Sequence, residues 1–528
     1  MFSKFIFLLL KILHGSTLIA FCLSKPGRII CAASLGLAGT LGYAPYDLWL
    51  VLLGSITLLF ILLSGLKSAK AVFATVLTYF ACLNLASLSW LNFVMEGFGG
   101  MPTFAAWAVT ALFALYLALH YALFAALAKH FSKRRQAVFI FYFLPASFAA
   151  ADFTVGQFLS GFPWMYFGNT ALQGPFASFL PLIGVRGTSV LMTFTASAVA
   201  MAALRRYLYL PAAGLIILSG IMLTGVSYTQ ASSEHDVALV QGNLEQSVRL
   251  GPDAFQKSLA VYWEASRDLL VKHSLVIWPE AALPFYLNDA MDVISDLDSA
   301  ARASDSNLVT GVLRRDENGR YNSIAVLGKR DSNAIQIYDK RHLVPFGEYV
   351  PFESLLRPLG KIFNIPMSDF TAPEHATLPL KIQGVTYIPA ICYEAIFPEL
   401  ALSFDSKDAG AILMLSNDGW FGNTRGPLQH FNIARARTLE LQKPMLRITN
   451  NGISALIGPD GIAQKMLPRN EEAVLETKFT QRNGQTPYSR IGSWGAFLIM
   501  LMLIIGGFIS SRIKADEKAE RFKELIRP

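Results

Sequence analysis

The chain has 528 residues, of which 53% are hydrophobic and only 16% are charged, and its formal net charge is +8. Soluble domains carry roughly 25% charged residues, so this composition excludes an ordinary soluble protein and indicates a membrane protein. The positive charge does not indicate nucleic-acid binding, because the basic residues cluster at the ends of apolar segments.

The distribution of charge divides the chain into regions. Residues 1–230 contain long uncharged stretches, residues 232–490 have the composition of a soluble domain, and an apolar run at 491–511 precedes a basic tail at 512–528. A membrane-spanning helix needs about 20 apolar residues. Charge-poor segments near this length lie at roughly 28–44, 48–66, 71–95, 103–128, 136–156, 177–204, 207–229 and 493–511. The sequence therefore predicts an N-terminal membrane domain of about seven helices and one closing helix.

The N-terminal segment 5–23 has several interpretations. It is apolar but contains Lys11 and His14, and it lacks the small-residue cleavage site of a signal peptide. A further span, a helix in the membrane interface and an extension of the first span all remain open. We favour an interfacial or extended helix, because a separate crossing would move the N-terminus to the other side of the membrane.

Lys and Arg residues occur at alternate connections between the predicted spans. The connections near 45–47, 96–102 and 157–176 contain neither residue. The other connections carry the basic residues Lys25, Arg28, Lys67, Lys70, Lys129, Lys133, Arg134, Arg135, Arg205 and Arg206. Basic connections remain in the cytoplasm, so the 232–490 region is predicted to be extracytoplasmic.

The 232–490 region alternates between two patterns. Short β-branched and apolar runs, typical of buried strands, lie at 237–240, 275–278, 308–313, 323–327, 386–391, 411–415 and 446–457. Helical patterns cover 253–273 and 430–442, and turns at 450–452 and 459–461 bracket a predicted hairpin. Alternating strands and helices favour a layered α/β domain over a β-sandwich.

Cys392 is the only cysteine in the 232–490 region and follows the apolar run 387–391. It has no disulfide partner within that region, and an unpaired thiol in an oxidising compartment favours a catalytic or covalent role. The other cysteines, Cys22, Cys31 and Cys82, lie in or beside apolar segments, where Cys is usually a small buried hydrophobe. A nucleophile at a strand end is exposed where the chain turns and is followed by a backbone N–H that can stabilise an oxyanion.

Glu280 and Lys340 are the candidate partners of Cys392. A thiol with an ordinary pKa of about 8.5 is mostly protonated at neutral pH, so a nucleophilic Cys needs a base or a nearby cation. Glu280 is the candidate base, with a pKa raised by burial at a strand end. Lys340 is the candidate group that holds negative charge on a carbonyl oxygen. Taken singly, these residues also fit a solvated Glu, a surface Lys and a buried small Cys.

The order Glu280, Lys340 and Cys392, in the contexts Trp-Pro-Glu, Tyr-Asp-Lys and Ile-Cys-Tyr-Glu, resembles the nitrilase (carbon-nitrogen hydrolase) superfamily. With membrane segments before and after this region, the chain more narrowly resembles the apolipoprotein N-acyltransferase family. The segments that carry this resemblance lie at 42–49, 99–102, 161–164, 240–243, 343–349, 416–422, 449–452 and 486–488. The resemblance implies a nitrilase-like αββα sandwich at 232–490 joined to a polytopic α-helical membrane domain.

The resemblance also implies residue roles. It makes Glu280 the general base, Lys340 the oxyanion stabiliser and Cys392 the nucleophile. Glu348 is expected to hydrogen-bond Lys340 and orient it. Further support is expected from the neighbours of the nucleophile and from a pocket-lining amide, namely Tyr393, Glu394 and Asn417. Glu348 and Glu394 also fit plain surface acids.

Aromatic and apolar side chains are the candidates for contacts with lipid substrates. The residues expected to bind substrate are Trp164, Phe346, Tyr349, Phe421 and Leu250. An aromatic belt at the membrane interface also explains many rings on the catalytic side, and the loops 343–367 and 420–428 are a candidate lid. Two positions depart from the family: Leu250 stands where a functional Trp is usual, and Arg186 stands where Glu is frequent. The Arg186 departure is expected to change contacts with phospholipid head groups.

The resemblance implies a ping-pong acyl transfer. An acyl chain passes from a membrane phospholipid to Cys392 as a thioester, and then to the α-amino group of the N-terminal diacylglyceryl-cysteine of an apolipoprotein. It implies a bacterial inner-membrane protein whose catalytic domain faces the periplasm. We expect a monomer, no cofactor, no metal and no nucleic-acid partner.

Two other classes of function remain. A membrane-tethered nitrilase-family amidase acting on a small amide would need the same three residues, but it leaves the preceding spans unexplained. A transporter or scaffold is disfavoured, because the predicted spans contain almost no ionisable residues to line a path.

Overall fold

The computed structural model describes residues 21, 22, 24–132, 135–251, 253–329, 334–352, 369–374 and 378–525, with side chains to residue 512. Most of the 5–23 segment and the 353–367 part of the candidate lid lie outside these residues. The chain divides into two compact units. The first comprises residues 1–89, 107–226 and 493–528, and the second comprises residues 90–106 and 227–492.

The first unit is α-helical. In chain order its helices are α1 (Lys25–Gly39), α2 (Trp49–Ser64), α3 (Ala69–Ser87), α5 (Thr103–Phe131), α6 (Gln136–Val155), α7 (Ala177–Ala203) and α8 (Tyr207–Met222). The intervening helix α4 (Trp90–Gly97) belongs to the second unit. The C-terminal helix of the first unit, Trp494–Leu525, is named α15 below.

Among the described residues, five helices are long and apolar enough to cross a membrane: α3, α5, α6, α7 and the Trp494–Arg512 part of the C-terminal helix. Helices α2 and α8 are apolar but shorter. Helix α1 has 15 residues, which at 1.5 Å per residue span about 22 Å of a hydrocarbon layer about 30 Å thick. A helix therefore lies in each of the eight predicted spans. In the part of the chain that the structure describes, only five of these helices are long enough by themselves to cross a membrane.

The predicted span 71–95 is wrong at its end. Helix α3 ends at Ser87, and the chain then forms the separate short helix α4. Residues 90–106 group with the second unit. The apolar residues of α4 pack against aromatic side chains of that unit, so apolar composition alone extended the prediction too far.

Two predicted residues of the first unit lie in its interior. Trp164 belongs to the short 3-10 helix Pro163–Met165, is buried, and stacks on Phe162 with ring centroids 5.8 Å apart. Arg186 is also buried, and it donates from Nε to Tyr166 Oη at 3.1 Å and from Nη1 to Ser493 Oγ at 3.0 Å. The Arg186 side chain therefore ties α7 to the segment before the last helix, and the expected change in phospholipid head-group contacts stays a prediction.

The second unit contains two β-sheets. The first sheet has the order β13-β1-β2-β4-β5-β6, with β3 paired to β4, and the second has the order β12-β11-β10-β9-β8-β7. The strands are β1 (Gln230–Gln241), β2 (Leu275–Ile277), β3 (Leu283–Tyr286), β4 (Asn307–Asp316), β5 (Gly319–Leu327), β6 (Gln336–Asp339), β7 (Leu380–Ile382), β8 (Val385–Ile391), β9 (Ala409–Ser416), β10 (Met445–Thr449), β11 (Ala455–Ile457), β12 (Ala463–Met466) and β13 (Ala473–Asn483). Parallel pairing of β1-β2-β4 and of β8-β9-β10 places several strand ends at common edges.

Further helices belong to the second unit. They are α9 (Gln246–Arg249), α10 (Ala254–Lys272), α11 (Met291–Ala303), α12 (Pro398–Phe404), α13 (Gly426–Leu441) and α14 (Pro487–Ile491), followed by α15 (Trp494–Leu525) of the first unit.

Alternate side chains of β1 pack on opposite faces of the first sheet, which explains the layered architecture. Val237 and Leu239 pack between the sheets with residues such as Ile388 and Leu413, whereas Ala238 and Val240 pack in a second cluster with residues of α10 and α11. Successive strand residues point to opposite faces, so one strand serves both layers. The predicted αββα nitrilase-like fold and the helical membrane domain are confirmed.

Candidate active site

The predicted nucleophile lies at the end of β8. The strand ends at Ile391, and Cys392 begins a 3-10 helix that continues to Ile396. Cys392 has a φ of 50°, in the left-handed region, which costs a non-glycine residue about 1–2 kcal/mol. The chain therefore turns sharply at the residue predicted to react.

Glu280 lies in the turn after β2, between Pro279 and Ala281. The Gly311 N–H of β4 donates to the Pro279 carbonyl at 3.1 Å. A Cβ atom on residue 311 would lie 2.3 Å from the Ala281 nitrogen and 2.7 Å from the Glu280 Cα. Glycine at this position therefore lets β4 pack directly against the turn that carries Glu280.

Lys340 follows β6 and is enclosed by carboxylates. Its Nζ lies 2.9 Å from Glu348 Oε1 and 3.5 Å from Glu280 Oε1, and its side chain is 1% exposed. Burial opposes the charged form, but the carboxylates of Glu348 and Glu280 outweigh it, so the pKa of Lys340 is above its ordinary value. Lys340 is therefore a permanent cation, and Glu348 holds it as expected.

Two asparagines fix the carboxylates. Asn322 Nδ2 donates to Glu280 Oε1 at 2.8 Å and to Glu348 Oε1 at 3.1 Å. The backbone N–H of Asn417 donates to Glu280 Oε2 at 2.7 Å, while its side-chain Nδ2 donates to Gln246 Oε1 at 3.0 Å. Asn417 was expected to line the pocket, and it is the backbone of this residue that contacts Glu280.

The charges around Cys392 favour a protonated thiol. Burial raises the pKa of Cys392 and the Glu280 carboxylate raises it further, while Lys340 lowers it by a smaller amount. The net pKa is well above its ordinary value. A resting thiolate is therefore disfavoured, and the thiol needs a base during the reaction.

The neighbours of the nucleophile have different surroundings. Glu394 is buried, and its carboxylate accepts hydrogen bonds from Tyr338 Oη and from the backbone N–H groups of Arg341, His342 and Ile391, at 2.7–3.2 Å. It therefore ties the segment after Lys340 to the end of β8. Tyr393 is also buried, and its ring packs edge-to-face on Phe397, with centroids 5.2 Å apart.

The predicted substrate-binding residues are divided between the units. Leu250, directly after α9, is 40% exposed, and Phe346 is 38% exposed. Tyr349 is half-buried, and Phe421 packs edge-to-face on Trp90 with centroids 4.9 Å apart. Trp164 lies in the first unit, so it is not grouped with these four.

Sequence reasoning missed several buried polar residues beside the site. Asn322 lies within β5 with no motif around it, in the mixed polar half of the strand that precedes the apolar run 324–327. Arg249 Nη2 donates to the carbonyls of Glu280, at 2.9 Å, and of Ala281. His430 lies 3.0 Å, through Nε2, from the carbonyl oxygen of Cys392.

The arrangement combines a thiol, a carboxylate and an ammonium group on three strand ends. Such a set can move a proton from sulfur to carboxylate and stabilise an oxyanion. Within the described residues, no group of His, Cys, Asp and Glu side chains has the arrangement of a metal site.

Family models match both parts of the chain. Residues 236–488 match the carbon-nitrogen hydrolase model, and residues 35–198 match the model of the apolipoprotein N-acyltransferase N-terminal domain. Among solved structures, the chain is similar to a CN-hydrolase superfamily protein from Xanthomonas campestris, at 21% identity and a TM-score of 0.35 over 47% of this chain and 91% of that one.

Curated relatives match almost the whole chain. The apolipoprotein N-acyltransferase of Vibrio vulnificus is 35% identical over 92% of this chain and 98% of that protein. Those of Photobacterium profundum and Haemophilus influenzae are 36% and 34% identical, over 90% and 92% of this chain and 93% and 95% of theirs. The chain therefore belongs to the apolipoprotein N-acyltransferase family.

Proposed function

We propose that this protein transfers an acyl chain from a membrane phospholipid to the N-terminal α-amino group of a diacylglyceryl apolipoprotein. Membership of the family supports the overall reaction. The observation that carries the mechanism is the placement of the Lys340 ammonium against the carboxylates of Glu280 and Glu348, in the unit where Cys392 turns the chain.

The first half-reaction forms the acyl-enzyme. Glu280 takes the proton from Cys392 Sγ, and the sulfur attacks the ester carbonyl carbon of the phospholipid. The Lys340 ammonium stabilises the oxyanion of the tetrahedral intermediate. The C–O bond then breaks, Glu280 returns the proton to the departing alcohol oxygen, and a lysophospholipid leaves behind a thioester on Cys392.

The second half-reaction uses the same groups. The α-amino group of the acceptor attacks the thioester carbonyl, and Glu280 accepts a proton from the nitrogen. The C–S bond breaks as the amide C–N bond forms, and Sγ recovers its proton from Glu280. Both substrates are lipid-anchored, which keeps them at high effective concentration near the enzyme.

Water must be kept from the thioester, since hydrolysis would turn the enzyme into a phospholipase. Leu250 and Phe346 are partly exposed apolar side chains in the catalytic unit, and we propose that they contact the acyl chain. We extend the same proposal, on sequence grounds, to Trp164, Tyr349 and Phe421.

We further propose that the protein is a monomer of the bacterial inner membrane with residues 232–490 on the periplasmic face. The alternation of basic and uncharged connections supports this orientation.

The acyl-enzyme provides the test. Purified full-length protein is incubated with a phospholipid that carries a labelled acyl chain, and the protein is examined for label that hydroxylamine releases. We expect one labelled thioester per active chain and no label on Cys392→Ala. Active wild-type protein that acquires no label would contradict the proposed mechanism.

A further inference from the structure

A cluster of buried ionisable residues lies beside Cys392 and has no part in the steps above. It consists of His430 on α13, Asp418 after β9 and Arg447 on β10, and we refer to it as the His430 cluster. The exposed fractions of these residues are 0%, 2% and 0%. Charged groups this deep need specific partners, because their desolvation is expensive.

The ring of His430 contacts the backbone of the nucleophile. Nε2 lies 3.0 Å from the carbonyl oxygen of Cys392. A carbonyl oxygen only accepts, so Nε2 carries the proton and donates it. Loss of a hydrogen bond to a buried carbonyl is destabilising, and Cys392 already has a left-handed φ of 50°. The hydrogen bond therefore stabilises the backbone conformation that presents Sγ.

The other two residues hold the ring in place. His430 Nδ1 lies 3.2 Å from Asp418 Oδ1 and 3.3 Å from Arg447 Nη2. Arg447 Nη2 also donates to Asp418 Oδ2 at 2.9 Å. Burial would raise the pKa of Asp418, but Arg447 and the hydrogen bond from His430 outweigh it and keep that pKa well below its ordinary value. Asp418 is thus a fixed anion.

The same cluster reaches the predicted base. Asp418 directly follows Asn417, whose N–H donates to Glu280 Oε2 at 2.7 Å. Ser416 Oγ, one residue earlier, donates to Asp418 Oδ1 at 2.9 Å. The Asp418 carboxylate therefore anchors the segment that holds Glu280, while His430 anchors Cys392.

We propose that His430 is a positioning residue, and that the His430 cluster sets the position of the Cys392 sulfur relative to the Glu280 carboxylate. His430 acts through the main chain of Cys392. The inference rests on the proposed role of Cys392 as the nucleophile and adds a determinant of its geometry.

The test compares His430→Gln with His430→Met in the full-length protein. The two side chains have similar size, but only Gln keeps an N–H near the position of Nε2. We measure alkylation of Cys392 by iodoacetamide, and the kcat and KM of acyl-enzyme formation. His430→Met should lower kcat and the alkylation rate by about 10- to 100-fold with KM unchanged, because small displacements of reacting groups have effects of this size. His430→Gln should restore most of both rates.

Matched substitutions at His235 are the control. This residue lies on β1, half-buried, 2.8 Å from Ser233 Oγ, and His235→Gln and His235→Met should leave all rates unchanged. If His430→Met does not fold, His430→Asn replaces it, since its shorter amide does not reach the Nε2 position. Equal rates in the donor-bearing and donor-lacking variants would overturn the proposal.

The alkylation assay also separates two kinds of failure. It needs no acyl donor, so it reports on His430 even if the wild-type protein forms no acyl-enzyme. Absence of the acyl-enzyme would reject the proposed function, whereas alkylation rates that do not depend on the donor would reject the positioning role.

Discussion

Cys392 and Glu280 are coupled by charge. Burial raises the pKa of Cys392, and Glu280 raises it further, so the carboxylate that is proposed to take the proton also keeps it on sulfur at rest. Lys340 lies 3.5 Å from Glu280 Oε1 and partly offsets that carboxylate. The thiol therefore stays protonated at rest.

Glu280→Gln separates the two effects of the carboxylate. Loss of the base should slow acyl-enzyme formation by about 10²- to 10⁴-fold. Loss of the negative charge should also lower the pKa of Cys392, which partly offsets the lost base, so alkylation by iodoacetamide at neutral pH should slow much less than acyl-enzyme formation. Rates of labelling and of alkylation are measured in parallel on the purified protein.

Glu264→Gln is the matched control for this prediction. Glu264 is an exposed residue of α10, paired with Arg267 at 2.8 Å, and its substitution should change neither rate. If Glu280→Gln slowed alkylation as much as acyl-enzyme formation, the charge of Glu280 would not be raising the pKa of Cys392, and the prediction would be contradicted.

Glu394 predicts a pH dependence of stability. Burial raises its pKa to about 7, despite hydrogen bonds from four donor groups to its carboxylate. Between about pH 7 and the ordinary carboxyl pKa, the folded protein holds a proton that the unfolded chain has released. The contribution of Glu394 to the free energy of unfolding therefore increases as the pH falls below about 7. The same contribution is lost as the pH rises through about 7.

Comparison with Glu394→Gln isolates this contribution. The unfolding temperature of wild type relative to Glu394→Gln should increase as the pH falls from about 8 to about 5. Thermal unfolding in detergent is measured at several pH values. A constant difference across that range would contradict a raised pKa for Glu394.

The residues that could be predicted from the sequence stand at strand ends in recognisable contexts. Glu280 and Cys392 follow apolar runs and Lys340 lies in the Tyr-Asp-Lys context, so both their position and their residue type carried information. Asn322 and His430 lie inside a strand and a helix, and their significance depends on which atoms the fold brings within 3 Å. No local pattern contains such contacts.

Helix α4 and the segment after β9 form one packed element beside the site. Trp90 Nε1 donates to Gln429 Oε1 at 3.1 Å, and its ring packs on Phe421. Phe98 packs edge-to-face on Trp420, with centroids 4.9 Å apart. Gln429 directly precedes His430, so α4 supports the helix that contacts Cys392.

Substitutions at Trp90 test this support. Trp90→Phe removes one hydrogen bond and should cost about 1 kcal/mol of unfolding free energy. Trp90→Ala also removes the buried ring and should cost about 3–5 kcal/mol, and acyl-enzyme formation should slow with it. Chemical denaturation and labelling rates check both. Wild-type stability in Trp90→Ala would show that α4 does not support the catalytic unit.

Periodicity predicted the elements of the second unit better than the ends of the apolar helices. The helical pattern 253–273 corresponds to α10, and the run 386–391 corresponds to β8. The predicted span 71–95 is wrong at its end because the apolar residues of α4 that pack on Phe421 are of the same types as residues that face a bilayer. Only the tertiary contacts of α4 separate them.

The molecule combines a helical membrane unit with a catalytic unit inserted between α8 and α15. Basic residues at alternate connections predict that the C-terminal tail lies in the cytoplasm and residues 232–490 in the periplasm. Reporter tags placed within 232–490 and after residue 512 should therefore report opposite sides of the membrane. Tags that report the same side would contradict this topology.

Transfer of a single labelled acyl chain tests the central claim most directly. Wild-type protein is first loaded from a labelled phospholipid, freed of excess donor, and then mixed with a diacylated lipopeptide whose N-terminal cysteine has a free α-amino group. We predict that the label leaves Cys392 and appears in the lipopeptide as a hydroxylamine-resistant amide, and that Cys392→Ala gives none. Release of the label as free fatty acid in the presence of the lipopeptide would contradict the account and indicate a hydrolase.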